Sequence, residues 1–425
     1  MAENYLQNTL ALHAGYEFDT QRTVSVPIYQ STAFSFENLE QAGNRFALKE
    51  LGNIYARLTS PTVDILQRRL AAVEGGEFAV CTASGSAAVF YSLVNCAQNG
   101  DNVLFANKIY GGTNTLIQHT LKRFGISSKE FNIDNLSTLE KLIDKNTKAI
   151  FFESLSNPQI SIADTGKIVE IAKKHGIITI CDNTVATAFL HKAFDFGVDI
   201  VVHSLSKYVN GQGSALGGAV IERKGLNEFI KNNPRYPAFN TPDPSYHGLV
   251  YANLALPIFG IRIITEWLRN IGATLAPQNA WILIQGLETL GLRIKKHSAN
   301  ALEIAKFLEA HPDIKEVNYP GLENNKYYPL LKKYFVSTEA SGLISFEAKS
   351  EAHARAICDK TKIFEVVVNL GDSKSLIVHP ASTTHSQLNE NELKTAGISP
   401  KAVRLSVGLE DAKDLINDLK QAIKA

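Results

Sequence analysis

The chain has 425 residues, too many for one ordinary hydrophobic core, so two or three folded units are expected. Its 43 basic and 42 acidic side chains leave a formal charge of +1, which gives no electrostatic ground for nucleic acid or a membrane surface as partner. Cys81, Cys96, Cys181 and Cys358 lie far apart with no C-x-x-C spacing, so neither a disulfide framework nor a zinc site is expected.

The opening MAENYLQNTL lacks the basic-then-apolar pattern of a secretory signal, so a cytoplasmic protein is expected. Residues 1–60 are polar and turn-rich and read as an arm lying over something else. The arm ends in NIYARLTSPT, where Tyr55 and Arg57 can point the same way on an extended segment and offer a phenol and a cation together; an ordinary surface patch is the competing reading. From Val63 to Val73 apolar residues recur at helical spacing, and Glu74-Gly75-Gly76 ends that helix. The strand FAVCT follows. After it, Ser84, Gly85 and Ser86 open a helix, where free backbone amides favour a phosphate, although glycine at such a junction can also be just a turn.

The alternation continues through NVLFA and the loop YGGTNT, TKAIFFE and the loop with Asn157-Pro158, IITICD, and DIVVHS. Short apolar strands alternating with helices predict a mostly parallel α/β sheet covered on both faces, with ligands gathered at the carboxyl ends of its strands. Ser86, Tyr110, Asn157, Asp182, Ser204 and Lys207 all follow strand-like runs. The most membrane-like run, Leu249 to Leu268, is broken by Asn253, Pro257, Arg262 and Glu266, so no spanning helix is expected. The passage NPRYPAFNTPDPSYHGLVY is too rich in proline for a sheet strand and is expected to be an insertion near the site.

The predicted division is an arm at 1–60, a large domain at 61–275 and a smaller α+β domain at 276–425. The last begins with a helical stretch from Asn279 to Leu308, bent at Gly286 and Gly291. Its strand candidates are KEVNYP, GLISFEA, IFEVVV, SLIVHP and AVRLSVG, and its final helix carries Leu415, Ile416, Leu419 and Ile423 at helical spacing.

Chemistry converges on DIVVHSLSKYVNGQG, which delivers the hydroxyls of Ser204 and Ser206 and then the amine of Lys207. Such an amine can form a Schiff base with a carbonyl cofactor while the hydroxyls hold a phosphate; a surface lysine after a buried strand is the alternative. Asp182 ends a strand 25 positions earlier, a spacing that fits one crossover between parallel neighbours. Its carboxylate can keep a pyridine nitrogen protonated, or simply cap a turn with Asn183. Gly85 and Ser86 offer amides, and Tyr110 can stack on a ring. These are the services pyridoxal 5'-phosphate requires: amine, counter-anion, phosphate cradle and stacking ring. The run GQGSALGG hints instead at a nucleotide-binding oxidoreductase, but the third glycine of that fingerprint falls at Leu216.

Over nearly its whole length the chain resembles the cysteine and methionine metabolism family of pyridoxal-phosphate enzymes. The resemblance runs through YAR at Tyr55, the SGSAA loop, YGGT, SNP at Asn157, CDNT at Asp182, SLSK at Lys207 and RLSVGLE at Arg404. It implies a fold-type I, aspartate-aminotransferase-like subunit with a seven-stranded sheet. Lys207 would bind the cofactor, Asp182 pair with the ring nitrogen, Asn157 meet the ring hydroxyl, and Tyr110 and Thr184 take opposite ring faces. Tyr55 and Arg57 would reach the phosphate of a neighbouring subunit, making a dimer that pairs into a tetramer, and Arg404 would bind the substrate carboxylate.

The chain departs from the family's usual pattern at Ser206, where threonine is common, and at Asn369, where several members carry serine. Asn369 and the PDPSYHG insertion resemble the O-acetylhomoserine sulfhydrylase branch, whose reaction replaces acetate by sulfide, free or delivered by a sulfur-carrier protein, to give homocysteine. O-Succinylhomoserine sulfhydrylase, cystathionine gamma-synthase and a gamma-lyase are the alternatives within the family.

Overall fold

The computed structural model describes residues 5–383 and 397–424. Two sheets organise it. The larger has seven strands, β1 (Phe78–Thr82), β2 (Asn102–Ala106), β3 (Ser127–Phe131), β4 (Thr147–Glu153), β5 (Ile178–Asp182), β6 (Ile200–Ser204) and β7 (Gly218–Glu222), in the order β1-β7-β6-β5-β4-β2-β3. Neighbours from β3 to β6 are parallel, whereas β7 runs antiparallel to both β1 and β6. Every residue of β2 and β4 is buried, because helices cover both faces of the sheet, and this is why these strands read as unbroken apolar runs.

Two strands escape the sequence pattern. The edge strand β3, SSKEF, is polar and half-exposed, with no apolar run to betray it. The small-residue strand β7 is fully buried and follows a glycine-rich loop. It pairs Gly218 with Ser204, so the loop between β6 and β7 that carries Lys207 is closed at its base as a hairpin.

The second sheet contains β8 (Ile314–Asn318), β9 (Leu343–Ala348), β10 (Glu365–Val366), β11 (Leu376–Val378) and β12 (Ala402–Ser406), in the order β10-β11-β12-β9-β8. All five lie in the predicted runs, although IFEVVV keeps only two paired residues and leaves Val366, Val367 and Val368 exposed.

The helical stretch is two helices, Pro277–Glu288 and Leu290–Glu309, and the break falls at Thr289, between the glycines. The glycines themselves serve close approach. A Cβ on Gly286 would collide with the carbonyl oxygen of Val209 and lie 2.6 Å from that of Asn210; one on Gly291 would collide with Asn8. From the second helix, Arg293 donates to the carbonyls of Tyr208 at 2.7 Å and Val209 at 3.1 Å, and to that of Gly286 at 2.6 Å. The turn that follows Lys207 is therefore pinned by residues far along the chain.

The arm is anchored through the helix Gln7–His13, where the Gln7 amide donates to the carbonyls of Val73 and Ala188. Beyond it the arm exposes Phe18, Val24, Leu39 and Leu51.

The proline-rich passage does not line the candidate site within the chain, contrary to expectation. The Tyr236 hydroxyl donates to the Lys148 carbonyl and accepts the Ile178 amide, while Arg235 donates to the carbonyls of Thr147 and His175. These contacts brace the amino ends of β4 and β5, the edge opposite the one where ligands gather. Its later turn meets the arm, the Tyr246 hydroxyl donating to the Phe46 carbonyl. Among the described residues no helix is long and apolar enough to cross a membrane.

On the same far edge, Glu222 is buried with one oxygen accepting the Gly260 amide at 3.0 Å and the other unpartnered among the described residues. Burial pushes its carboxyl up to about 8, so the folded protein holds a proton there that the unfolded chain releases near the ordinary 4.5. Stability from this group is present below the unfolded value and is lost as pH rises through the folded one. Glu222→Gln, which has no proton to lose, is expected to gain on the wild type by about 1–3 kcal/mol between pH 5 and pH 9, read as a growing difference in Tm. A constant Tm difference across that range would refute the assignment.

Candidate active site

The strand ends bring most of the predicted residues together. The Lys207 amine donates to the Asn369 side-chain oxygen at 2.6 Å, and the Asn369 backbone carbonyl accepts Nη2 of Arg404 at 2.9 Å. Nη1 of Arg404 donates to the Asn157 side-chain oxygen at 2.8 Å. One asparagine of the second sheet's lobe thus joins the amine to the guanidinium. Burial, and after it the Arg404 charge, lowers the Lys207 pKa from the usual lysine range, which favours a free, nucleophilic amine.

Arg404 sits mid-strand in β12, paired with Ser345 of β9 and Val378 of β11, and is 5 % exposed. Burial lowers its guanidinium to about 10, still charged at neutral pH. Its Nε has no partner among the described residues, an orphan donor that a substrate carboxylate would satisfy.

On the β5 side, Asp182 is half-buried, and its Oδ1 accepts the Thr184 amide at 2.9 Å, an Asx turn. Burial raises its carboxyl, against the lowering effect of the Thr184 hydrogen bonds and the His203 charge. The Thr184 hydroxyl in turn accepts the Ser204 amide at 2.8 Å, tying the ends of β5 and β6. The helix Gly85–Cys96 opens here. Ser84 caps it by accepting the Ala87 amide, and this leaves the first amides, those of Gly85 and Ser86, without helical acceptors. Gly85 lies flush on Ser204: a Cβ there would sit 2.6 Å from the Ser204 Cβ and 2.8 Å from its Cα. Only glycine lets the helix end approach the strand so closely.

The residues present fit pyridoxal phosphate. A half-buried amine, a carboxylate ending an adjacent strand, a helix start packed on a serine and a guanidinium with an orphan donor gather around the carboxyl ends of the strands. Tyr110 stands at the rim, 49 % exposed, with its ring leaning over Gly112.

Two parts of the predicted set stand apart. The Ser206 hydroxyl is engaged with Gly217, accepting its amide at 3.0 Å and donating to its carbonyl at 3.3 Å, so it fastens the lysine loop. Tyr55 and Arg57 lie exposed on the arm with the guanidinium over the phenol ring, and no hydrogen bond or ion pair described in the chain joins them to the Lys207 cluster.

Sequence reasoning passed over Glu153, the last residue of β4. It is buried, with Oε1 accepting the Tyr110 amide at 2.6 Å and Oε2 the Asn157 amide at 3.0 Å. The signal was available: TKAIFFE and IITICD both end in an acid, and parallel neighbours bring such ends side by side.

A family model described as Cys/Met metabolism PLP-dependent enzyme matches residues 8–424. An O-acetyl-L-homoserine sulfhydrylase of Corynebacterium glutamicum is 41 % identical over 429 residues, covering 100 % of this chain and 98 % of the relative. A homocysteine synthase of Schizosaccharomyces pombe is 39 % identical over 423 residues, covering 98 % and 97 %. A crystal structure from Campylobacter jejuni, assigned as an O-acetylhomoserine (thiol)-lyase and carrying N'-pyridoxyl-lysine-5'-monophosphate at position 205 of its own chain, is 66 % identical. It superposes with a TM-score of 0.98 over 99 % of this chain and 100 % of that one. With a family model spanning nearly every residue and full-length relatives around 40 % identity, the chain belongs to the Cys/Met metabolism family of pyridoxal-phosphate-dependent enzymes.

Proposed function

We propose that this enzyme is an O-acetylhomoserine sulfhydrylase: it exchanges the acetate of O-acetylhomoserine for sulfide, releasing homocysteine and acetate. The observation that carries the reading is the Lys207–Asn369–Arg404 connection, which sets a guanidinium with a free Nε beside a reactive amine, as an amino-acid substrate requires. The names of the relatives support the acetyl ester.

When bound, pyridoxal phosphate supplies an electron sink that makes the carbons beside the amino group acidic enough for acetate to leave from the gamma carbon. The chain's residues do the rest. Lys207 holds the cofactor's carbonyl carbon at rest and, once released from it, moves the alpha proton as general base, a role its lowered pKa suits. Asp182 holds the proton on the ring nitrogen, while Thr184 and Tyr110 flank the ring and Asn157 meets its hydroxyl. The amides of Gly85 and Ser86 and the hydroxyl of Ser204 hold the phosphate; Ser206 acts by fixing the loop. Arg404 orients the substrate carboxylate with Asn157 and Asn369 as its supports. The Tyr110 phenol lies at the open rim, where it can assist proton movement at the gamma side.

The arm at 1–60, a large domain at 61–275 and a smaller one at 276–425 give this arrangement its parts. The exposed apolar side chains of the arm support self-association as a dimer of dimers, in which Tyr55 and Arg57 reach a neighbouring subunit's phosphate. Four buried, unpaired cysteines suit a reducing, cytoplasmic setting.

Parallel assays with O-acetyl- and O-succinylhomoserine, each with sulfide and with cysteine, test the reading. The acetyl ester with sulfide is expected to give the highest kcat/KM; preference for the succinyl ester with cysteine would overturn it. Borohydride reduction followed by peptide mapping is expected to find the cofactor on Lys207.

A further inference from the structure

Glu153 ends β4 at the level where Asp182 ends β5, and the two are direct partners in the parallel register. It is 6 % exposed, and each of its oxygens takes one backbone amide, from Tyr110 at 2.6 Å and from Asn157 at 3.0 Å. Both partners are N–H donors, so the geometry serves the ionised carboxylate. Burial and the nearby Asp182 charge push its carboxyl well above the usual carboxylate range, and the two amides offset them only in part. Ionisation of Glu153 therefore calls for a cation close by, as a protonated ring nitrogen beside Asp182 would be, and its two oxygens fasten the loops that carry Tyr110 and Asn157.

We propose that Glu153 is a positioning residue of the reaction: its carboxylate locks the Tyr110 and Asn157 loops in place, and its charge adds to that of Asp182 in stabilising a cation at the cofactor's ring nitrogen. The inference rests on the cofactor reading above. The first half reaches the substrate through Asn157, whose side-chain oxygen accepts Nη1 of Arg404. The second half follows from the strand register, which leaves no intervening strand between the two acids. The other titratable groups around the pair are Cys181 on β5, His203 on β6 with Glu74 at 2.6 Å from it, Tyr110, Lys207, and Arg404 on β12. All of them stay constant when only Glu153 is changed.

The test uses the purified holoenzyme as wild type, Glu153→Gln and Glu153→Asp. The absorbance of the lysine-bound chromophore is titrated against pH, and KM and kcat for O-acetylhomoserine are measured at saturating sulfide. Glu153→Gln removes the charge and replaces one acceptor by a donor; it is expected to lower the chromophore pKa by about one unit and to reduce kcat/KM about 10- to 100-fold. Glu153→Asp keeps the charge but withdraws it by one methylene. It is expected to raise KM about tenfold while leaving the chromophore pKa near the wild-type value. A Gln variant with wild-type chromophore pKa and wild-type KM overturns the proposal. Should the Gln variant not fold, an Asp variant with unchanged KM overturns it instead. A wild-type protein with no reducible chromophore would strike down the cofactor reading itself, which separates that failure from a failure at Glu153.

Discussion

Lys207→Ala is expected to lower kcat by about four orders of magnitude while the protein stays folded, because in the proposed mechanism one side chain serves both as carbonyl anchor and as proton carrier. The fold tolerates the change for a local reason. Among the described residues the Lys207 amine has a single hydrogen-bond partner, the Asn369 side-chain oxygen, and the residue is only half-buried, so water can replace it. The turn itself is held by others: Arg293 on the carbonyls of Tyr208 and Val209, and Ser206 on Gly217. Thermal melting should therefore stay within a few degrees of wild type. Turnover above one-tenth of wild type would remove Lys207 from the mechanism.

Arg404→Lys should be nearly as damaging to substrate use, and it should also cost stability. The guanidinium divides its donors between the Asn157 side chain and the Asn369 carbonyl and still has Nε to offer. An ammonium at the end of a flexible stem cannot hold both supports and present a planar face to a carboxylate. KM for the amino-acid substrate is expected to rise about 100-fold, with a smaller fall in kcat, since in the proposed mechanism the interaction holds the substrate from binding onward. Leaving one of the two buried acceptors unpaired should cost about 1–3 kcal/mol, read as a lower Tm. A lysine variant with KM within twofold of wild type would show that the substrate carboxylate binds elsewhere.

How far the sequence could be read depended on the kind of signal. The interior parallel strands were legible because burial on both faces makes them apolar throughout, and most of the polar residues that follow them were legible because a polar side chain after such a run is conspicuous. Lys207, Asp182, Asn157 and Ser204 came from that contrast. Arg404 and Asn369 came through resemblance, since nothing local distinguishes an arginine in β12 from a strand-edge charge, and only the packing of the two sheets' lobes brings it to Asn157. Glu153 was lost because it looked like the end of a strand. Its hydrogen bonds come from two backbone amides of other loops, and backbone partners leave no trace in sequence. Ser206 is the opposite case, a hydroxyl in the expected place whose bonds within the chain go to Gly217. Gly286 and Gly291 were read as bends because local pattern shows a missing side chain but not the neighbour that requires it to be missing.

That last point reaches further than helix geometry. The carbonyls just after Lys207 are held by Arg293, and the space beside them is kept open at Gly286, so the reactive amine belongs to a composite of two stretches of chain nearly eighty residues apart. A nascent chain that has not yet released Arg293 from the ribosome has the lysine but not its seat. Cofactor capture should accordingly be a late event in the life of each new molecule, and a chimera that trades the C-terminal lobe for a relative's must bring that glycine and that arginine with it.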